Sequence, residues 1–438
     1  MFHSLFLFFI VEFLSFSFFP SPSKFHLKFR KFTPIGPSSY PVLGCLVSFY
    51  KNRHRLLDWY STLSDSPTQT ILVQRFGAPR SIITANPDNV EHILKTNFTN
   101  YPKGQPFTEI LGDFLGRGIF NVDGELWTAQ RKLARHEFST NSLRESVVQT
   151  LEEVVYTKLI PLLNQSVSLG TDPHCLDDLS HVPLLVDSFD TASQACAMRG
   201  MASVYAIWKS KRALNLGSEK KLKENMQRIH CCISDIIEKK KQQIINESGD
   251  HKNVDLLSRL LIAGHEDEMV RDMVISFLMA GRDTTSSALT WLFWLNTNHP
   301  NVKNEITSIN NGNKALEFDD LKEMKYLHAC LNESIRLYPP VAWDSKHAAK
   351  DDTLPDGTRV KKGNRVTYFH AYKFPVFQAG PRVCLGKEMA FTQMKYVLAS
   401  VLKRFDIKPV KIEKPVFLPL LTAHMAGGFN VRIHHRDN

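Results

Sequence analysis

Hydrophobic residues recur with two different periods along this 438-residue chain. Thr70 to Val73 and Ser81 to Ala85 are short apolar runs, which predict strands in the N-terminal quarter. From Gly124 to about Leu402 the spacing is helical, so helices should dominate there. Lys220 to Asn246 sets Ile229, Ile233, Ile236 and Ile237 on one side of a basic helix with a solvated charged face. Val270, Met273, Phe277, Leu289 and Leu292 give a long apolar face to a helix from about Glu268 to Thr297. Met324, Leu327, Leu331 and Ile335 do the same for a helix ending before Pro339-Pro340. Asp356-Gly357-Thr358 and Lys362-Gly363-Asn364 read as turns between short strands. The class is mostly α with a smaller β part.

The N-terminus follows another rule. Eleven of the 29 phenylalanines lie in the first 32 residues, more than a soluble core requires. Phe2 to Phe19 is just long enough to cross a hydrocarbon layer of about 30 Å as a helix. Lys24, Lys28, Arg30 and Lys31 follow it, which keeps the remaining chain on the cytosolic side. A cleaved signal peptide fits less well, because the positive charge is on the wrong flank. Residues 1–20 are therefore expected to be a transmembrane anchor. Residues 21–41, basic and stiffened by Pro34, Pro37 and Pro41, form a hinge, and residues 42–438 form the globular domain.

Composition adds little beyond exclusions. With 43% hydrophobic and 22% charged residues, the chain is neither disordered nor fibrous. The formal charge of +10 suits an acidic partner or an anionic membrane surface. Nucleic acid fits poorly, since no Lys/Arg run interleaves with stacking aromatics. Seven scattered cysteines without a C-x-x-C pair argue against a disulfide framework or structural zinc.

One cysteine stands apart. Phe377-Gln378-Ala379-Gly380-Pro381-Arg382-Val383-Cys384-Leu385-Gly386 precedes an amphipathic helix through Ala390, Phe391, Met394 and Val397. Cys384 thus sits in a Gly/Pro-shaped loop at a helix start, where free N–H groups favour a thiolate. Gly380 and Gly386 would let a flat group approach the backbone, and Arg382 would meet an anion. A lone cysteine is more often a small buried hydrophobe, but five specific residue types in ten positions favour a haem-thiolate site.

This loop resembles the F-x-x-G-x-R-x-C-x-G signature of the cytochromes P450. The resemblance makes Cys384 the axial ligand of a haem b iron, with Phe377, Gly380, Arg382 and Gly386 in its cradle. Three further segments bear on it. Ala280-Gly281-Arg282-Asp283-Thr284-Thr285 interrupts the long helix with poor helix formers, and threonine hydroxyls there can open a helix locally. It is similar to the family's oxygen-binding groove, which implies room for dioxygen at Gly281 and a proton relay through Asp283 and Thr284. Glu333 and Arg336, read alone, form an exposed i,i+3 ion pair. The family's E-x-x-R pair is buried and fixes the core near the thiolate loop. Trp127 and Arg131 lie one turn apart; Trp127 is equally readable as core and Arg131 as surface. The resemblance assigns both to the haem propionates, with Lys132 and Arg135 facing a reductase.

The wording around Phe120 to Trp127 and Ala280 to Trp294 narrows the resemblance to the plant fatty-acid ω-hydroxylase branch, which includes jasmonoyl-amino-acid hydroxylases. It implies a monomeric mono-oxygenase in the endoplasmic reticulum membrane. Electrons come from NADPH through NADPH-cytochrome P450 reductase, and the substrate is a long apolar carboxylic acid. Its walls, by resemblance, are Phe107, Ile119, Phe120, Gly281, Val341, Leu421 and Thr422.

Two departures stand against this. Between Tyr372 and Pro375 the family carries a further segment, the meander, whose arginine completes a triad with Glu333 and Arg336. No arginine lies between Arg365 and Arg382 here. A buried pair missing its partner costs about 3–5 kcal/mol. The chain is also short between Thr191 and Trp208, in the channel roof. Splicing, a pseudogene or an error of gene prediction would each produce such gaps. The alternative reading is accordingly a non-catalytic relative that binds haem poorly. A haem-thiolate isomerase of hydroperoxides is a third, disfavoured by Thr284.

Overall fold

The computed structural model describes residues 36–438, apart from 54, 64, 66, 139–140, 170–181, 247–255, 309–315, 370–374, 412–413 and 437–438. The expected anchor over residues 1–20 and most of the hinge lie outside these residues. Among the described residues no helix is long and apolar enough to cross a membrane.

Both predicted strands form. β1 (Thr70–Val73) pairs antiparallel with β2 (Ser81–Thr84), and Ala85 falls just beyond. Two later strands complete the sheet: β3 (Trp343–His347) and β4 (Arg365–Phe369). The order is β1-β2-β4-β3, with β4 parallel to β2 and antiparallel to β3. The two expected turns separate the short strands Asp352–Thr353 and Arg359–Val360 and then lead into β4.

Helices fill most of the rest. Ser218–Asn246 buries Ile229, Ile233 and Ile237, whereas Ile236 faces solvent, one position off the apolar stripe. The long central helix runs from Asp267 to Asn298 and is broken in its middle by a single π turn, Met279–Asp283. Lys325–Leu337 ends before the prolines, with Leu327, Leu331 and Ile335 buried as the spacing demands. Lys387–Arg404 follows the cysteine loop and packs in one core cluster with Leu331, Ile335 and the central helix's Leu292. The six cysteines among the described residues are free.

The Thr191–Trp208 stretch, expected to be short, falls across the helices Val182–Gly200 and Tyr205–Ala213, which are joined by only four residues. Val182–Gly200 lies against Ser218–Asn246, and the Arg199 guanidinium is buried between Glu219 and Asp113. The Tyr372–Pro375 junction, where the meander is expected, lies outside the described residues except for the backbone of Pro375.

Candidate active site

The central helix opens where its sequence is least helical. Across the Met279–Asp283 turn, Thr284 Oγ1 donates to the Ala280 carbonyl at 2.5 Å. A π turn widens the ladder, and the hydroxyl supplies a donor to a carbonyl at the widened point. A Cβ added to Gly281 would meet nothing within 4 Å, so this face of the turn is open. Asp283 is buried, and burial raises its pKa against the opposing Arg282 guanidinium, 3.3 Å away. Such a carboxyl holds a proton more readily than an ordinary aspartate.

The cysteine loop is shaped by its neighbours. The Cys384 N–H returns to the Phe377 carbonyl at 2.8 Å, and the nearby Gly386 N–H favours the thiolate form of its sulfur. The Cys384 side chain is accessible. Desolvation pushes its thiol pKa up, outweighing the Gly386 N–H, Arg131 and Lys387.

Gly380 needs a correction. At φ +61°, a Cβ there would lie 2.1 Å from the Leu94 carbonyl oxygen, so its missing side chain admits protein backbone rather than a flat ligand. At Gly386 a Cβ would only touch Phe138, at 3.8 Å.

Trp127 is 9% exposed and packs with Ile119, Ala134, Leu385 and Phe277 of the central helix. It is therefore core, as one of its two readings held. Its ring also carries two cations, Arg382 at 4.5 Å and Arg131 at 5.7 Å. Arg131 donates to the Val383 carbonyl. Arg382 donates to Asp123 Oδ1 at 2.7 Å and to the Val122 carbonyl at 3.0 Å, but its buried Nε has no partner.

The wall residues fall into groups. The Ala423 N–H donates to the Pro340 carbonyl at 2.7 Å, which places Leu421 and Thr422 beside Val341. Ser287 Oγ holds the same turn to the central helix through the Ala423 carbonyl. Phe107 and Leu421 pack on one apolar cluster with Phe277 and Met279. Phe120, by contrast, is exposed.

Glu333 and Arg336 form a bidentate pair at 2.6 and 2.7 Å, but their side chains are 56% and 44% exposed. The expected buried pair is corrected: no described residue covers it, and the chain is short where the family's covering segment would be. The penalty for a broken buried triad therefore does not arise.

Sequence reasoning missed Asp123, which accepts from Arg382 and from the Lys103 and Gly104 N–H groups. It also missed Asp344, the hub of a buried network with Lys103, Lys346, Tyr368 and Gln378. Trp-Asp-Ser-Lys-His carries no strand signal, and only its place after Pro339-Pro340 marks it.

The sequence model described as Cytochrome P450 matches residues 34–184, 186–372 and 369–424. The chain is 50% identical to cytochrome P450 94B1 of Arabidopsis thaliana, across 99% of this chain and 97% of that protein. It is 39% identical to cytochrome P450 94A1 of Vicia sativa, across 92% and 91%. Among solved structures, the cytochrome P450DA heme domain superposes with TM-score 0.73 at 16% identity, covering 92% of this chain and 97% of that one. The alignment with 94B1 has 498 positions against 438 residues here, so at least 60 positions have no residue in this chain. The family match breaks at residue 185 and again at 369–372. The second break coincides with the short stretch before Pro375. The first falls slightly before the Thr191–Trp208 stretch where shortening was expected.

The family's cofactor is a haem whose iron is held by a cysteine thiolate. The donor set here fits one: an accessible sulfur, an open face at Gly281, and a buried arginine nitrogen lacking a partner beside a second arginine on Trp127. Matched along most of its length and half identical to a near-full-length relative, the chain belongs to the cytochrome P450 family of mono-oxygenase enzymes.

Proposed function

We propose that the chain hydroxylates a long apolar carboxylic acid, either a fatty acid at its ω end or a jasmonoyl-amino-acid conjugate. The observation that carries this reading is the π turn closed by Thr284 on Ala280, on the helix whose Phe277 packs on the same apolar cluster as Leu385, the neighbour of Cys384. Cys384 would hold the iron of a haem b through its sulfur, with the nearby Gly386 N–H favouring the thiolate. Haem b bound there supplies the activation of O₂ for insertion into a C–H bond, with electrons from NADPH through its reductase. Trp127, Arg131 and Arg382 would hold the anionic edge of that cofactor. Asp283, whose burial makes it hold a proton more readily than an ordinary aspartate, would supply a proton that Thr284 passes on from its position at the open turn. Phe107, Ile119, Val341, Leu421 and Thr422 exclude water and align the alkyl chain, with Gly281 leaving space beside it.

In this reading residues 1–20 anchor a monomer in the endoplasmic reticulum membrane, 21–41 are the hinge, and domain 42–438 faces the cytosol. The phenylalanine run and the lysines after it support that placement.

A second reading, a relative that binds haem poorly, is favoured by the exposed Glu333–Arg336 pair and the unmatched positions against 94B1. The test is turnover with reductase and NADPH on medium and long fatty acids and on jasmonoyl-isoleucine. Hydroxylated acid supports the first reading. Haem-loaded protein that oxidises none of them overturns its substrate class, and protein without haem supports the second.

A further inference from the structure

Gln378 lies in the cysteine loop with φ at 63°, one of three non-glycine residues at positive φ among those described. A side chain in that region disfavours the conformation roughly five- to thirtyfold relative to an unstrained one. Something nearby must offset that strain, and both ends of the Gln378 amide are gripped. Its Nε2 donates to Asp344 Oδ2 at 3.1 Å, and Tyr368 OH donates to its Oε1 at 2.5 Å. A carboxylate only accepts, which fixes which way the amide points.

The grip is rigid. Asp344 and Tyr368 are register partners on β3 and β4. Asp344 is held in turn by Lys103 at 2.6 Å, by Lys346 at 2.8 Å and by the Ser345 N–H at 2.7 Å. Tyr368 is fully buried. Beyond Gln378 the loop presses Gly380 against the Leu94 carbonyl and brings the Cys384 N–H back to Phe377.

We propose that Gln378 is a positioning residue for Cys384: Asp344 and Tyr368 clamp its amide and so hold the thiolate loop in its left-handed turn. The functional meaning of the clamp rests on Cys384 carrying the haem; its geometry does not.

The test is amide hydrogen exchange across residues 377–386 of the full chain, together with the ferrous–CO spectrum, for Gln378→Ala, Gln378→Gly and Tyr368→Phe. Gln378→Ala keeps the strain and loses the clamp, so loop exchange should rise roughly five- to thirtyfold. Gln378→Gly loses both, so its loop should exchange more slowly than that of the alanine variant. An ordinary loop gives the opposite order, because glycine loosens it. Tyr368→Phe should speed exchange in this loop; if that variant does not fold, the two Gln378 variants decide alone. The thiolate-type spectrum should weaken in Gln378→Ala and recover in Gln378→Gly. Exchange in Gln378→Ala equal to wild type, or faster exchange in Gln378→Gly than in Gln378→Ala, overturns the proposal. A wild-type chain with no thiolate-type spectrum sinks the functional reading instead, while the exchange order still decides the clamp.

Discussion

The Thr284 hydroxyl reaches back 2.5 Å to the Ala280 carbonyl across the one π turn of the central helix. That bond couples the shape of the helix to a hydroxyl able to move a proton. Replacing Thr284 by valine keeps the volume of the side chain and removes the hydroxyl with its bond to Ala280. Product formed per NADPH consumed should fall about tenfold or more, and serine should retain much of it. Unchanged coupling in the valine variant would remove Thr284 from the proton path.

Asp283 trades stability for that path. Its folded pKa is raised by burial, so the folded chain holds the proton more tightly than the unfolded one. Its contribution is most favourable at acid pH and declines as pH rises through the raised folded value. Asp283→Asn should be more stable than wild type at neutral pH in urea titrations and slower in turnover. A variant less stable than wild type at pH 7 contradicts this account.

Lys346 titrates the other way. It is 1% exposed, and burial pushes its pKa down to about 7, against the pull of Asp344. Between that value and the ordinary lysine range the unfolded chain binds the extra proton, so stability should rise with pH. Lys346→Met should flatten the rise between pH 7 and 10 in denaturant titrations relative to wild type. An equal slope in both proteins would show that Lys346 keeps its proton in the fold as firmly as in the unfolded chain.

The exposed Glu333–Arg336 pair gives a sharp contrast. Arg336→Ala should cost less than about 1 kcal/mol, as exposed pairs do. A loss of about 3–5 kcal/mol in urea would mean that the pair is buried after all.

These residues also mark what the sequence made legible. The π turn was readable because Gly281, Asp283 and Thr284 break local propensity inside a strong helix. The cysteine loop was readable because its special residues are contiguous. Neighbours distant in sequence were not. The need for glycine at 380 arises from Leu94, and the turn at Gln378 from Asp344 and Tyr368. The charged strand Trp343–His347 is buried against its partner, contrary to any alternation rule. Glu333 and Arg336 match the family motif yet lie exposed, so motif and environment came apart.

The central claim is that this shortened chain still builds a haem-thiolate site on Cys384. Its most direct test is the reduced, CO-bound minus reduced difference spectrum of the expressed protein beside Cys384→Ser. Wild type should show a red-shifted Soret band that is absent from the serine variant. Folded wild-type protein without that band, or a band that survives in Cys384→Ser, would contradict that claim.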